Sequence, residues 1–258
     1  QLLVRLQDCF DLYDRLTPGD RCLVSNLVAT LTQGMEMDLV TFPVNTSGPV
    51  QALPDRPSLE RYTYYVAGVV GEFWTMLCEA NLPAVTHPAT LPQRRELARR
   101  FGQGLQLTNI LKDLGKDLQS GRCYLPADEL QEAGLHARDL LHTATLPRIR
   151  PLIFSVIQDA LEHLDYGVRY VQLLPKQALR VRLSCMWPLL FAVKTLEEVS
   201  LSKTLLCGRT RVKISRRTVY YTMLRSLWYL AVPGGFARRY ARQRQRLIGL
   251  MSLRNGHD

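Results

Sequence analysis

The chain has 258 residues, of which 47% are hydrophobic and 22% are charged, and it carries a net charge of +10. This composition excludes a disordered chain, and the length is compatible with one large domain. No apolar run approaches the roughly 18 to 20 residues that cross a bilayer, no signal peptide is visible, and the histidines lack the spacing of zinc ligands.

Apolar residues recur at helical spacing along the chain, whereas alternating strand patterns are nearly absent. We therefore predict an all-α, single-domain helical bundle over residues 1–258. Asp20 is the expected cap of the second helix, and residues 43–57, rich in Pro, Gly and Ser, are expected to form a loop. The predicted helices cover residues 1–15, 20–39, 58–81, 91–119, 127–133, 138–143, 149–173, 176–200 and 215–230, and the tail after Gly235 is also expected to be helical.

The third predicted helix has two unlike faces. Tyr62, Val66 and Val69 share an apolar face, whereas Gly68 and Gly71 leave the other face nearly bare. A glycine inside a helix costs about 1 kcal/mol relative to alanine, so these glycines indicate close approach to the backbone. The approaching group is more commonly a neighbouring helix than a long apolar ligand. A tyrosine at the end of an apolar cavity can exchange a proton with a ligand.

Asn109, Asp113 and Asp117 follow one another at intervals of four residues in the helix predicted for 91–119. Each interval turns a helix by about 40° and climbs about 6 Å, so the three side chains share one stripe with Gln106. Oxygen ligands on a rigid stripe suit Mg²⁺, especially an ion that also holds a diphosphate. The adjacent stripe is apolar, which predicts a site at the edge of a buried cavity. The alternative is a solvated face with charge pairs between residues i and i+4.

Basic residues are concentrated near two points. Arg122 follows the acid-bearing helix and offers a planar fork for phosphate oxygens, although a surface arginine in a capped loop is the plainer interpretation. Five arginines lie within residues 238–246, next to apolar residues that include Leu230, Phe236 and Leu247. This tail favours a membrane surface over nucleic acid, because no recognisable nucleic-acid module is present, and a solvated helix is the simplest alternative.

Three blocks, residues 62–71 (YTYYVAGVVG), 104–117 (GLQLTNILKDLGKD) and 121–126 (GRCYLP), resemble the squalene/phytoene synthases, which are head-to-head prenyl transferases. Residues 34–39 (GMEMDL) also look like a bacterial member of that family. The resemblance extends over most of the chain, and the NxxxDxxxD block is its specific part. It implies the isoprenoid synthase type of helical bundle around a central cavity.

The resemblance also implies roles for individual residues. Asn109, Asp113 and Asp117 match metal ligands, and the two aspartates also match catalytic residues. Tyr62 matches a tyrosine proposed to transfer protons. The residues implied to bind substrate are Gln106, Lys112, Arg122, Tyr220, Val66 and Val69. Lys112 stands where the family usually has arginine, so charge is kept but the bidentate fork is lost. Lys213 and Arg216 resemble a segment that approaches NADPH.

We therefore expect a Mg²⁺-dependent enzyme that joins two farnesyl diphosphates into presqualene diphosphate and then, with NADPH, squalene. The segment of Lys213 and the block of Met35 and Asp38 favour squalene; phytoene or dehydrosqualene is the alternative product. A non-catalytic assembly or scaffold protein with the same fold is the alternative of another class. The scattered cysteines predict reduced thiols and therefore a cytoplasmic protein. Together with the basic tail, this predicts a protein at the periphery of a membrane.

The first aspartate-rich motif of the family is not evident in the sequence. Asp8, Asp11 and Asp14 are three residues apart, so they fan out across a helix instead of forming a stripe. We expect that an N-terminal part with the other half of the metal site is absent from this chain, and that the 258 residues alone are inactive or nearly so.

Overall fold

A computed structural model describes residues 3–43, 49–209 and 211–255, and it confirms the all-α prediction. The α-helices are α1 (Leu6–Asp14), α2 (Pro18–Thr41), α3 (Arg56–Thr63), α4 (Val69–Asn81), α5 (Leu91–Gln119), α6 (Ala127–Glu132), α7 (Leu146–Leu173), α8 (Leu179–Leu201), α9 (Arg216–Ala231) and α10 (Gly235–Asn255). A π-helical turn, Tyr64–Gly68, joins α3 to α4. Short 3₁₀ turns cover Leu3–Arg5, Pro88–Thr90, Ala137–Leu141 and Thr143–Thr145.

Two short parallel strands, β1 (Gln51–Leu53) and β2 (Arg122–Pro126), were not predicted. Three residues are too few to show an alternating pattern, and β1 pairs with a strand about seventy residues away in sequence. The loop predicted for 43–57 is therefore wrong at β1 and at the start of α3, where the Asp55 side chain accepts a hydrogen bond from Ser58 N at 2.8 Å. Residues 44–48 lie outside the described residues.

Two helix boundaries also differ from the prediction. Thr17, not Asp20, caps α2: its hydroxyl oxygen accepts a hydrogen bond from Asp20 N at 3.1 Å, and Pro18 follows at the first helical position. The helix predicted for 138–143 is the tighter 3₁₀ turn Ala137–Leu141. Gly121 ends α5 with a φ of 77°, a backbone conformation that glycine adopts without strain.

The central helix α5 packs against α4 on one side and α7 on another. A Cβ atom on Gly71 would lie 2.0 Å from the Ala98 carbonyl oxygen, and one on Gly102 would lie 2.2 Å from the Ala67 carbonyl oxygen. The bare face predicted for the third helix therefore meets a neighbouring helix backbone. This close crossing of α4 and α5 fixes the residues around the π-helical turn relative to the acid-bearing stripe of α5.

The basic tail forms α10, which belongs to the core. Phe236 and Leu247 are buried, Arg244 pairs with Asp165 at 3.1 Å, and three of the other arginines of the helix are exposed. Two of the apolar residues that suggested a membrane surface therefore face inward. Of the helices in the described parts of the chain, none combines the length and apolar character needed to cross a bilayer.

Candidate active site

The carboxyl-terminal half of α5 presents the predicted stripe of oxygen ligands. Asn109 is exposed, whereas Asp113 and Asp117 are half-buried. Lys112 Nζ lies 3.1 Å from Asp113 Oδ2, so the lysine partly offsets the charge of this carboxylate. Burial, followed by repulsion from Asp113, raises the pKa of Asp117 to about 6. The two carboxylates therefore share a local excess of negative charge.

A cluster of aromatic and charged side chains lies beside this stripe, where α2, α3 and β2 meet. The rings of Tyr62 and Tyr124 stack with centroids 4.8 Å apart, and Phe42 meets Tyr124 edge-on at 5.0 Å. Tyr124 donates its hydroxyl proton to Asp38 Oδ1 at 2.6 Å, and Arg122 Nη1 lies 2.8 Å from Asp38 Oδ2. Burial is the main cause that raises the pKa of Tyr62.

An apolar cavity of about 380 Å³ lies between α4, α5 and α8, next to the π-helical turn. Its polar end is formed by Gln106 and Asn109, which belong to the predicted stripe. The remaining wall is mainly apolar and includes Val66, Val70, Trp74, Phe101, Leu105, Cys185 and Pro188. An apolar cavity with polar groups at one end is suited to bind a long hydrocarbon chain with a polar head.

The π-helical turn explains why the predicted face of the third helix is split. A π turn contains one more residue than an α turn, so side chains beyond it rotate relative to those before it. Tyr62, before the turn, is buried in the aromatic cluster, whereas Val66 within the turn lines the cavity. Val69, beyond the turn, is buried and does not line this cavity.

Three other predicted residues lie away from the cavity. Lys213 is exposed and lines a separate cavity of about 250 Å³ together with Glu198 and Arg211. Arg216 is exposed at the start of α9, and Tyr220 is 69% exposed on the same helix. Their roles toward NADPH and substrate stay predictions.

Asp38 and Tyr124 are the residues of this site that sequence reasoning left without a role. Asp38 belongs to the GMEMDL block that contributed to the family resemblance, and Tyr124 follows Arg122 by two positions. Both could have been identified as candidate site residues, because Asp38 offers a carboxylate and Tyr124 a hydroxyl inside sequence blocks that resemble the family. Their contact joins residues 86 positions apart, so only the fold reveals it.

The fit of Mg²⁺ to this site depends on the donors of α5. Within the described ranges, no group of three His, Cys, Asp or Glu residues has the arrangement that could hold a metal ion. The donors that do fit are one amide and two carboxylates from a single helix, all oxygen ligands of the kind that Mg²⁺ prefers. The pKa of Asp117 is raised first by burial and then by repulsion from Asp113, and a bound cation would relieve this repulsion.

Comparison with known proteins identifies the family. A sequence profile described as Squalene/phytoene synthase matches residues 1–218, so the chain belongs to the squalene/phytoene synthase family. It is 31% identical over 192 residues to a bifunctional lycopene cyclase/phytoene synthase of Leptosphaeria maculans, covering 73% of this chain and 30% of that protein. It is 27% identical over 229 residues to a squalene synthase of Eremothecium gossypii, covering 87% of this chain and 49% of that protein.

Solved structures share the fold. A complex of TcSQS with the ligand BPH1237 superposes with a TM-score of 0.72 at 21% identity, covering all of this chain (100%) and 75% of that one. YisP from Bacillus subtilis superposes with a TM-score of 0.56 at 15% identity, covering 86% of this chain and 92% of that one. The chain spans 30% and 49% of the length of the two curated relatives named above. The resemblance seen in the sequence is confirmed, and the chain is a member of a family of prenyl transferases.

Proposed function

We propose that the protein catalyses Mg²⁺-dependent, head-to-head condensation of two farnesyl diphosphates to presqualene diphosphate and then, with NADPH, to squalene. The observation that carries the proposal is an apolar cavity whose polar end shares the helix stripe of Asp113 and Asp117. Bound Mg²⁺ would neutralise the diphosphate and favour its departure as a leaving group.

The chain's own residues supply the rest of the site. Asn109, Asp113 and Asp117 would hold the metal, Gln106 would orient the polar head of the substrate, and Arg122 would contact its phosphate oxygens. The apolar wall would keep water away from the allylic cation, which water would otherwise trap as an alcohol. Tyr62 is suited to take up the proton that C1 of the ionised substrate loses when the cyclopropane ring closes.

The test is turnover of radiolabelled farnesyl diphosphate by the protein expressed from its complete reading frame. We expect presqualene diphosphate with Mg²⁺, squalene when NADPH is added, and neither product with EDTA. The same assay with geranylgeranyl diphosphate tests the alternative product phytoene, and a C30 product formed without NADPH would indicate dehydrosqualene. Relatives of the chain include both squalene synthases and phytoene synthases, so the product requires this assay.

The alternative of another class is a non-catalytic scaffold with this fold. It predicts no release of diphosphate from either substrate and no stabilisation by Mg²⁺ with a non-hydrolysable prenyl thiodiphosphate. The retained stripe of Asn109, Asp113 and Asp117 supports the enzyme over the scaffold.

We also propose a cytoplasmic protein that binds the surface of anionic membranes through α9. No acidic residue lies between Glu198 and Asp258, whereas that segment contains 13 Lys and Arg residues. Leu224 and Trp228 are 70% and 67% exposed on α9, while Ser226 on its opposite face is buried. An apolar face flanked by arginines is typical of helices that lie in the headgroup region.

Sedimentation with vesicles tests this contact. We expect binding to vesicles containing about one-third phosphatidylglycerol, loss of that binding in Trp228→Glu, and little change in Val4→Glu, which alters an exposed apolar residue outside α9. Equal binding to neutral phosphatidylcholine, or unchanged binding of Trp228→Glu, would contradict the proposal.

A further inference from the structure

We propose that a second cavity, between the end of α7, the start of α8 and the turn from α9 to α10, binds the phosphate head of an anionic phospholipid through Arg182. The cavity shares no lining residue with the one beside the polar stripe of α5. The choice of a lipid rests on the membrane contact proposed for α9, whereas the anion site rests on the cavity itself.

The second cavity has a volume of about 350 Å³ and a mainly apolar lining that also contains two cations. Val171, Leu174 and Phe236 belong to this lining and are buried. The cations are Lys176, which is exposed, and Arg182, which is half-buried. Of the described residues that line the cavity, none is acidic. The lining therefore suits a ligand with an apolar body and a negative head.

Arg182 has no protein partner for its charge in the part of the chain that the structure describes. Its Nε atom is buried and makes no hydrogen bond there, and burial lowers the pKa of the guanidinium. Arg94 is also removed from water, but it pairs with Glu79. Removing a cation from water is unfavourable when no partner compensates for the lost hydration. An anion that reaches Arg182 from the cavity would provide this compensation.

The charges of the neighbouring segments leave Arg182 without an acid to pair with. Residues 166–196 include five Lys and Arg residues and no acidic residue, and α9 and α10 contain no acidic residue either. The acids that flank the segment are already paired, Asp165 with Arg244 and Glu197 with Lys194. We therefore expect the compensating anion to be a ligand.

A phospholipid matches both parts of the lining. The guanidinium of Arg182 offers a planar fork to two phosphate oxygens, and Lys176 adds a second positive charge. The apolar lining would hold the first carbons of an acyl chain. Free phosphate would leave that lining unused, whereas an uncharged hydrocarbon would leave Arg182 unpaired.

The cavity lies at the carboxyl-terminal end of the helix proposed to contact the membrane. Tyr229 and Leu230 of α9 line it, directly after Trp228, which is exposed. If Leu224 and Trp228 lie in the headgroup region, lipid phosphates are brought next to the cavity. This position favours a lipid over a soluble diphosphate as the source of the anion.

Calorimetry with dihexanoyl phosphatidylglycerol, used below its micelle concentration, tests the site on the protein expressed from its complete reading frame. We expect saturable binding that weakens at least about tenfold in Arg182→Gln, because the phosphate loses its charged partner. Arg180→Gln is the matched control, since Arg180 is exposed on the same helix and does not line the cavity. Its affinity should stay within about twofold of wild type.

A second variant supplies Arg182 with the acid that it lacks. Leu179 lines the cavity, is 51% exposed and begins α8, so Leu179→Glu places a carboxylate three residues before Arg182. This pair and the helix dipole should maintain the melting temperature while binding falls at least about tenfold. Leu179→Gln, without the charge, should weaken binding less than Leu179→Glu. Equal losses in these two variants would contradict a role for the charge of Arg182.

Two other ligands distinguish the sources of the anion. In EDTA, inorganic phosphate should bind at least about tenfold more weakly than the short-chain lipid, and farnesyl diphosphate should not displace the lipid at equal concentration. Equal affinity for phosphate, or displacement by farnesyl diphosphate, would overturn the assignment of a lipid.

Three outcomes would overturn the site itself. They are the absence of binding, equal binding of zwitterionic dihexanoyl phosphatidylcholine, and equal losses in Arg182→Gln and Arg180→Gln, which would report net charge alone. Without lipid, Arg182→Gln should melt at the wild-type temperature, because the substitution removes no ion pair. If that variant misfolds, Leu179→Glu decides the question.

Vesicle sedimentation separates this inference from the proposed membrane contact. Arg182→Gln should lower binding to phosphatidylglycerol vesicles, as Trp228→Glu should. If Trp228→Glu binds vesicles normally while the short-chain lipid still requires Arg182, the anion site stands and the membrane contact through α9 is wrong. If Trp228→Glu loses vesicle binding while Arg182→Gln binds vesicles and short-chain lipid normally, the membrane contact stands and the site at Arg182 is wrong.

Discussion

The two faces of α5 differ in what their side chains contribute. One face is fully packed: Leu107, Leu111 and Leu114 are buried, and Gly104 lets the helix approach His163 on α7 closely. The other face carries Gln106, Asn109 and the two aspartates, all of them exposed or half-buried. One helix thus supplies both a core element and a polar site, and the core face fixes the position of the other.

The same contrast is visible in how burial acts on titratable groups. Burial lowers the pKa of His163 to about 4, so the ring stays neutral in the packed core. On the polar face, burial and Asp113 raise the pKa of Asp117 to about 6. The core thus disfavours a cation, whereas the polar face holds anions whose repulsion a bound metal would relieve. Variants on the two faces should therefore change different quantities.

The largest effect is expected from Asp113→Asn. This substitution removes a proposed metal ligand on the polar face and keeps the size of the side chain. In the protein made from its complete reading frame, turnover of farnesyl diphosphate should fall by about a thousandfold, roughly 4 kcal/mol of transition-state stabilisation. Steady-state assays measure turnover. A denaturation curve measures the free energy of unfolding, which should change little.

A loss of turnover below about tenfold, roughly 1.4 kcal/mol, would remove Asp113 from the metal site. Glu132→Gln on α6 is the control, because it neutralises an exposed carboxylate away from the stripe. Turnover of the control should remain within about twofold of wild type.

The sequence predicted most of the helices because their apolar spacing is local and strong, and it predicted the acid stripe because four-residue spacing is fixed by helix geometry. What it missed depends on contacts between distant segments. The pairing of β1 with β2 and the bond from Tyr124 to Asp38 join residues that no local pattern connects. The π-helical turn was missed for another reason: its sequence continues the helical pattern, and the extra residue appears only in the backbone.

His163, on the packed face of the helix pair, should make the free energy of unfolding depend on pH. Its native pKa of about 4 lies below the usual 6.5, so between these values the unfolded chain binds a proton that the folded chain does not. The free energy of unfolding should therefore fall by about 3 kcal/mol as pH drops from 7 to 4. His163→Gln should remove this part of the dependence in urea denaturation curves. His142→Gln, at an exposed position, should leave the curve unchanged, and equal slopes in His163→Gln and wild type would contradict the prediction.

Gly104→Ala tests the packing of the same face without changing charge. The new Cβ atom would lie 2.9 Å from His163 Cβ and 3.1 Å from the Ala160 carbonyl oxygen, so α5 or α7 must shift. We expect a loss of about 2 kcal/mol in the free energy of unfolding. Gly249→Ala is the matched control, because nothing lies within 4 Å of its added Cβ atom, and it should stabilise α10 by about 0.5–1 kcal/mol. A stabilised Gly104→Ala would show that the two helices are less tightly packed.

The smallest effect is expected from Asp117→Asn on the polar face, and this substitution should raise the free energy of unfolding instead of lowering it. Because the native pKa of Asp117 is raised to about 6, the folded chain binds more protons than the unfolded chain between pH 4 and 6, and stability falls as pH rises through that range. Above pH 6 the carboxylate destabilises the metal-free protein, by about 1 kcal/mol once solvent screening of this partly exposed group is allowed for. Asp117→Asn should therefore raise the free energy of unfolding at pH 7.5 in EDTA, and Mg²⁺ should stabilise the wild type more than the variant. A variant less stable than wild type in EDTA would show that Asp117 is compensated by neighbouring cations, and that the polar face of α5 carries no unfavourable charge for a metal to relieve.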